Sequence, residues 1–367
     1  MNSMTNTKYD VIVVGAGPGG SVAAKKCAQN GFRTLLLEKR RLPREKVCTG
    51  MIMGVWARSI VELEFGNVPK DVLVAPHYLS GHMLHFPGVE PQVIEWRTPI
   101  AWRRDLDFWM NKRAEEAGVE IRDRTRFLGV SQFEGQCRVR VKTDKEEQEL
   151  GARFVIGADG ATSRVRKSLF PSLKVPYMGP MRECYEGSVD FEKDYFHWFF
   201  LKSRPRPRFD IIHKGDVFLI EGSGIRELRK EINQTLINRG FDPATKPVWK
   251  DVCLEPILHG ALISGSFSPA QGNVLLIGDA ASLILPITYE GIGPALQSGV
   301  LAAAAISEAA QKGTQAADIF LRELGSMLDV LKGLYSVSKE LEKKADEGVK
   351  PLSKAMKEAY EETLKVG

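Results

Sequence analysis

The hydrophobic positions of this chain alternate between blocks and stripes. Tyr9–Val14 is a short block rich in β-branched residues, the pattern of a strand buried on both faces. Glycines follow, then the Ala-rich helical stretch Ser21–Asn30, which Gly31 ends as a C-cap. Thr34–Leu37 is a second buried strand closing on Glu38, so the first 38 residues predict one βαβ unit. Trp102–Ala117 reads as a helix stopped by Gly118. Between Val119 and Phe154 strands alternate, with Val139 and Val141 on one face and Arg138, Arg140 and Lys142 on the other. Phe154–Gly157 is a third buried strand, running into Asp159. From Val175 to Ser268 glycine-punctuated strands (Asp190–Leu201, Phe209–Lys214, Asp216–Glu221) predict an antiparallel sheet, interrupted by one helix, Ile225–Asn238. Asn273–Gly278 returns to the buried-strand pattern, and Gly293–Ala310 is a helix of small residues. Beyond Thr314 the chain is helical. Leu321, Leu324, Leu328, Leu331 and Tyr335 form one apolar stripe, and Leu352, Met356, Tyr360 and Leu364 a second.

Length sharpens this picture. At 367 residues the chain exceeds the ~250–300 at which a single core stops growing. Two domains are expected, interleaved because the opening pattern resumes at Asn273. Net charge is +5 (51 basic against 46 acidic residues), mildly basic, which suits anionic ligands or a membrane surface without calling for nucleic acid. The five cysteines include no CxxC pair, so neither a disulfide framework nor a zinc site is expected, and a cytoplasmic location is. No apolar run reaches the ~20 residues that span a bilayer. His77, His82 and His85 cluster without an acidic partner at ligand spacing, so no metal is expected. Arg204, Arg206 and Arg208 alternate with Pro205 and Pro207 in an extended basic segment: a solvated loop, or a dock for an anionic head group or lipid surface.

The chemistry lies in three strand ends. Gly15-Ala16-Gly17-Pro18-Gly19-Gly20 fits GxGxxG between a strand and a helix, with the acidic Glu38 18 positions after Gly20. The first glycine makes the tight turn, the second lets a pyrophosphate approach the backbone, and the third lets helix and strand pack. The helix N-terminus offers free N–H groups and a positive dipole end to phosphates. Glu38, with Lys39 beside it, is placed to accept hydrogen bonds from a ribose. The second strand end is Gly157-Ala158-Asp159-Gly160. The third is Gly278-Asp279-Ala280-Ala281, continuing through Pro286 to Glu290-Gly291-Ile292-Gly293 and the small-residue helix.

In this order, the three motifs resemble the FAD-containing group that includes the aromatic hydroxylases, the flavin halogenases and the geranylgeranyl reductases. The resemblance covers roughly residues 8–50, 97–170 and 270–312. It implies that Asp279 holds ribityl or ribose hydroxyls and that Gly291 and Ile292 open a helix facing the flavin N1–C2=O edge. That edge gains negative charge on reduction, so a helix N-terminus there favours the reduced flavin. It implies further that Arg103, opening an R-x-x-L-D run with Leu106 and Asp107, lies near the cofactor, and that Phe127 meets adenine through its backbone. The fold implied is α/β, a Rossmann-type FAD-binding domain split by a mostly antiparallel β substrate domain, with a helical C-terminus. The parts expected are residues 1–75, 97–174 and 270–314 for the FAD domain, 76–96 and 175–269 for the substrate domain, and 315–367 for the C-terminal helices.

Within the group, the geranylgeranyl reductases carry a basic stretch, a cysteine and a glycine like those of Pro43–Gly50. The resemblance implies that this loop brings Val47, Cys48, Thr49 and Gly50 to the flavin ring. Pro286–Ile292 resembles their Pro-x-Thr-Gly-Glu-Gly-Ile, with Tyr289 in place of a glycine. Trp198, within Tyr195–Phe200, resembles the tryptophan of their aromatic substrate-cavity segment. Cys48, Trp198 and Tyr289 are thus expected on the reacting side, with Cys48 closing the site or assisting protonation. Arg44 and Lys46 stand upstream as cations that favour its thiolate. The activity implied is hydride transfer from reduced FAD to a C=C bond of an apolar, isoprenoid-type or lipid substrate. NAD(P)H or a reduced ferredoxin would be the transient electron donor, and peripheral contact with a membrane stays open. The alternatives are a class A-type flavin monooxygenase, or a flavin-dependent halogenase, whose Trp-x-Trp-x-Ile-Pro segment is missing.

Overall fold

Residues 9–201, 208–222 and 225–366 are described by a computed structural model. The opening βαβ unit is β1 (Tyr9–Val14), α1 (Pro18–Gln29) and β2 (Thr34–Leu37). α1 begins at Pro18, earlier than the Ala-rich pattern predicts, because proline at the first helical position is pre-set for the helix and has no N–H to leave unpaired. After α2 (Val55–Phe65) a long hairpin, β3 (Leu73–Phe86) and β4 (Val89–Ala101), leaves for the second sheet, and α3 (Arg103–Glu116) returns. β5 (Glu120–Arg122), β6 (Arg126–Phe133), β7 (Gln136–Lys142) and β8 (Glu147–Gly157) follow, then α4 (Arg164–Leu169).

The chain then builds β9 (Tyr177–Met178), β10 (Met181–Glu186), β11 (Tyr195–Phe200), β12 (Arg208–Lys214), β13 (Val217–Gly222), α5 (Arg229–Ile237), β14 (Trp249–Val252), β15 (Glu255–Pro256) and α6 (His259–Ile263). It returns through β16 (Ala270–Gln271) and β17 (Val274–Leu276) to α7 (Ile292–Lys312), α8 (Ala316–Glu323), α9 (Gly325–Glu347) and α10 (Val349–Val366).

The first sheet runs β16-β17-β8-β1-β2-β5, with β7 beside β8 and β6 beside β7. β1 is central, flanked in parallel by β2 and β8, and β17 lies parallel to β8. Val11, Ile12 and Val13 are wholly buried, which is why their run shows no polar alternation. The second sheet runs β14-β10-β13-β12-β11-β3-β4, antiparallel except where β11 meets β3. One face, with Phe196, Trp198, Phe200, Ile212 and Leu219, joins the core of the first domain. The other, with Phe199, Phe209, Ile211, Phe218 and Ile220, packs with residues of α5 in a separate core. Both faces of the aromatic strand β11 are therefore buried.

The leucine stripe after Thr314 is divided between α8 and α9, which meet at Leu324. Leu352, Met356, Tyr360 and Leu364 are all buried, where α10 packs on β3, β4, α2 and α9. Among the described residues no helix is long and apolar enough to cross a membrane. Arg204 and Arg206 lie outside the described residues.

Candidate active site

The three parallel strands β1, β8 and β17 end at one edge of the sheet, and a cleft of about 560 Å³ opens there against the second sheet. Its wall takes in Gly15, Gly17, Pro18, Gly19, Gly20, Glu38, Lys39, Val47, Cys48, Thr49, Arg103, Phe127, Asp159, Trp198, Asp279, Tyr289, Gly291 and Ile292. Of the residues expected to bind the cofactor or to stand on the reacting side, Ala16 and Gly50 alone are behind the wall. Ala16 is fully buried, its N–H donating to Glu38 Oε2 at 3.3 Å. Gly50 has φ +73°, and a Cβ there would lie 2.0 Å from the Ala101 carbonyl oxygen.

The glycines form a cradle that side chains would fill. Gly15 has φ +109°, and its Cβ would stand 2.3 Å from Ala158 O; that of Gly20 would stand 1.9 Å from Gly15 O. A Cβ on Gly17 meets no backbone, only the Arg44 and Arg103 guanidinium tips at 3.5 and 3.9 Å. Gly17 is thus the open position, with two cations beside it for a diphosphate. α1 and α7 touch backbone to backbone: Gly19 would place a Cβ 2.7 Å from Ala295 O, and Gly299 one 2.6 Å from Gly19 O. This contact requires small residues on both helices, and it brings the N-termini of both to the cleft, so two positive dipole ends act on one space.

Charges organise the rest. The Glu38 carboxylate accepts from Ala16 N, Arg40 N (3.0 Å) and Arg44 Nε (2.9 Å). A carboxylate has about four acceptor sites, so capacity for a ribose hydroxyl remains. Arg44 also pairs with Asp107 at 3.2 Å, and Asp107 holds Arg103 at 2.7 and 3.0 Å. Burial opposes the charge on Arg103, but Asp107 and Cys48 together more than offset it and hold its pKa above the usual value. The sequence suggested Arg44 as a cation for Cys48; the structure corrects this. Arg44 is committed to Glu38 and Asp107, and the guanidinium that bonds the Cys48 thiol is that of Arg103. The Cys48 sulfur also accepts from Gly50 N at 3.3 Å, and its carbonyl accepts from Arg182.

Asp159 lines the cleft, but its carboxylate accepts from Ser163 Oγ and from the backbone of Arg164 and Val165. The side chain is therefore the anchor of the α4 N-terminus. Tyr289 has φ +57°, a left-handed conformation that accounts for glycine at this place in the resembled motif. Trp198 is buried, its Nε1 donating to Tyr360 at 2.8 Å and its ring lying 4.3 Å from the Arg208 guanidinium.

Several site residues escaped the sequence reading. Glu290 accepts from Gly293 N at 2.7 Å while its Oε2 has no partner, and burial pushes its pKa up to about 7. Lys214 donates to Thr49 O (2.7 Å) and Ala101 O (2.8 Å) and lies over the Trp102 ring, fixing the loop that carries Cys48; burial pulls its pKa down to about 7. Asp210 and Glu221 also line the cleft, and so does Arg208, which the sequence offered as solvated loop or anionic dock and which lies against the Trp198 ring. Among the described residues no group of three or more His, Cys, Asp or Glu is arranged to hold a metal. His82 meets Phe196 and Tyr360, whereas His85 stacks on Phe199, so the two face opposite sides of the sheet.

The cradle, the paired helix ends and the acceptors at the strand tips fit a flavin dinucleotide. Such a group supplies two electrons as hydride. The protein supplies binding, orientation and exclusion of water.

Comparison with known proteins agrees. A family described as "FAD binding domain" matches residues 92–206, and one described as "NAD(P)-binding Rossmann-like domain" matches residues 13–44, the opening βαβ unit. The chain is 30% identical over 335 residues to digeranylgeranylglycerophospholipid reductase 2 of Methanopyrus kandleri, covering 86% of this chain and 81% of that one. It is 28% identical over 361 residues to the geranylgeranyl diphosphate reductase of Rhodobacter capsulatus, covering 89% and 83%. Among solved structures, a geranylgeranyl bacteriochlorophyll reductase-like protein of Thermoplasma acidophilum superposes with a TM-score of 0.75 at 21% identity, covering 97% of each chain.

Proposed function

This chain belongs to the geranylgeranyl reductase family of FAD-dependent oxidoreductases, and from that premise we propose that it saturates carbon–carbon double bonds of an apolar isoprenoid or prenyl-lipid substrate. The observation that carries the reading is the second half of the cleft. Beyond the glycine cradle the lining turns to Met51, Met53, Met178, Pro180, Phe196, Trp198, Val252 and Leu254. Such a wall suits an unsaturated hydrocarbon, and methionines adapt to a flexible chain. Val252 and Leu254, both in this lining, are 49% and 40% exposed. That rim supports entry of a lipid substrate from a membrane surface by a protein that otherwise resides in the cytoplasm.

In this role Gly15–Gly20 and the α1 N-terminus bind the diphosphate, Glu38 and Asp279 take sugar and ribityl hydroxyls, and the α7 N-terminus faces the flavin edge that gains negative charge. The Cys48 loop, held by Lys214, Arg182 and Arg103, covers the ring, and Trp198 and Tyr289 shape the substrate side. Electrons come from NAD(P)H or a reduced ferredoxin. The test is anaerobic. The flavin of the loaded protein is reduced with dithionite, then challenged with geranylgeranyl diphosphate. Reoxidation with a mass gain of two hydrogens per reduced bond is expected. A flavin that this prenyl compound leaves reduced, but that oxygen reoxidises while hydroxylating or halogenating an aromatic acceptor, overturns the reading.

A further inference from the structure

Saturating a double bond needs a proton as well as a hydride, and the sheet wall of the cleft holds buried acid that no binding role uses. Trp198, Asp210, Glu221, Arg182 and Asp251 are successive register partners across β11, β12, β13, β10 and β14. Side chains directly opposite on neighbouring strands share a face, so these five form one row. Arg182 is accounted for: it holds Asp251 at 3.1 and 2.9 Å and donates to the Cys48 carbonyl. Asp210 and Glu221 are left side by side, two carboxyls opposed on antiparallel strands, both lining the cleft.

Asp210 is 5% exposed and its Oδ1 has no hydrogen-bond partner. Glu221 Oε2 likewise accepts no hydrogen bond, its nearest cation being Arg182 Nε at 3.6 Å. Asp210 is buried and the Glu221 side chain is 19% exposed; each of two opposed carboxyls makes ionisation of the other harder, and one shared proton resolves the clash. The row is also tied to both loops expected at the flavin ring. Arg208, two residues before Asp210 on the same strand, donates to Ile287 O at 3.1 Å in the segment leading to Tyr289 and Gly291. Arg182 holds the Cys48 loop from the other side.

We propose that Asp210, sharing a proton with Glu221, is the catalytic acid that protonates the substrate carbon, a role that rests on the reductase reading above. Hydride given up by the reduced flavin, whose N–H bond would break and which would be left oxidised, adds to one carbon of the C=C bond, and the π pair moves to the other carbon. There it forms a C–H bond with the Asp210 proton as the O–H bond breaks. The carboxylate left behind regains a proton from solvent by way of Glu221. Two electrons and one proton are taken up with the hydride nucleus, and no further oxidant or reductant enters.

The charged and titratable groups facing Asp210 are Arg208 on its own strand, Glu221 from β13, Arg182 from β10, Glu255 from β15 and Tyr360 from α10; those facing Glu221 are Arg182, Asp251, Lys214 and Arg208. Burial and then Glu221 raise its pKa well above the aspartate range, while Arg208 and Arg182 pull the other way. Glu221 is itself pushed up to about 6, by burial first.

Asp210→Asn keeps the volume and removes the acid. With dithionite-reduced protein and geranylgeranyl diphosphate, we expect unchanged flavin content and reoxidation slower by at least about a hundredfold, with Asp210→Glu recovering part of the rate. The wild-type minus Asp210→Asn infrared difference should show a protonated-carboxyl band, in flavin-free and loaded protein alike. If the wild type is inert to the probe, the reductase reading falls and the acid with it. If the wild type reacts and Asp210→Asn matches it within about twofold, or if the band is missing, the acid alone is overturned. Should Asp210→Asn lose its flavin, Glu221→Gln decides. Without the neighbouring carboxyl the fall of rate with rising pH must move to lower pH, and an unmoved profile overturns the proposal.

Discussion

Cys48 stands where three cations converge: Arg103 bonds its thiol, and Arg182 and Lys214 act on it through space. Its sulfur accepts from Gly50 N, which pins the tight turn at the end of the loop. Serine keeps the turn but has a smaller, harder atom for the guanidinium. Cys48→Ser is therefore expected to retain full flavin, by absorbance at purification, while turnover falls several-fold, up to about a hundredfold if the thiol also assists proton movement. Equal turnover would leave the cysteine a packing role only. The motif residues around it were legible in the sequence because their chemistry is local: a glycine that must turn, an acid that ends a strand. The row of Asp210, Glu221 and Arg182 was not. In β12, Arg208, Asp210 and Lys214 alternate with the apolar Phe209 and Ile211, a pattern that by default means a face in water. Here that face is turned into the cleft, and the intervening Ile212, wholly buried, is the one sign of it in the sequence.

At the scale of elements, the α1–α7 contact aims two helix N-termini at one space, and the second carries an unusual cap. Glu290 accepts from Gly293 N, yet half of its carboxyl is buried without a partner, and its pKa rises to about 7. The unfolded chain releases this proton near the ordinary glutamate value of about 4.3. Below that pH both states are protonated and folding bears no penalty. As pH rises toward 7 the unfolded state ionises first, so stability is lost across that window and is constant above it. Glu290→Gln keeps the acceptor for Gly293 and removes the titration. It should match the wild type at pH 4 and exceed it by about 2–4 kcal/mol at pH 8, from urea unfolding of the flavin-free protein. Parallel curves at both pH values would show the carboxyl to be ionised in the fold. The sequence told helices from strands well here, because blocks and stripes differ in period. It failed at the junction of α8 and α9: the spacing 3, 4, 3, 4 runs through Leu324 unbroken, since a helix can start anew on the residue that ends the last.

At the scale of the whole molecule, the first domain lends the hairpin β3–β4 to the second sheet, and α10 then fastens that sheet to the body. Sequence predicted the apolar tail stripe and its packing. It held no sign that Tyr360, midway along the stripe, would reach the substrate wall, because that contact joins residues 162 positions apart. The Tyr360 hydroxyl accepts from Trp198 Nε1 at 2.8 Å and lies 3.2 Å from His82 Nδ1. Burial pulls the His82 pKa down to about 3, so its ring is neutral and Nδ1 is able to accept the phenol proton. One hydroxyl thus ties the C-terminal helix to β3 and β11 and fixes the indole that lines the cleft. Tyr360→Phe keeps the ring and strands both partners. Each buried polar atom left unsatisfied costs about 1–3 kcal/mol, eased where the ring can shift toward other partners. We expect a lower urea midpoint with flavin content unchanged, since the cradle is made by other elements. The KM for geranylgeranyl diphosphate should rise as Trp198 loses its tether. A stability loss with KM unmoved would make α10 a cover for the fold alone, whereas movement of both means that the last helix of the chain helps to shape the substrate cavity.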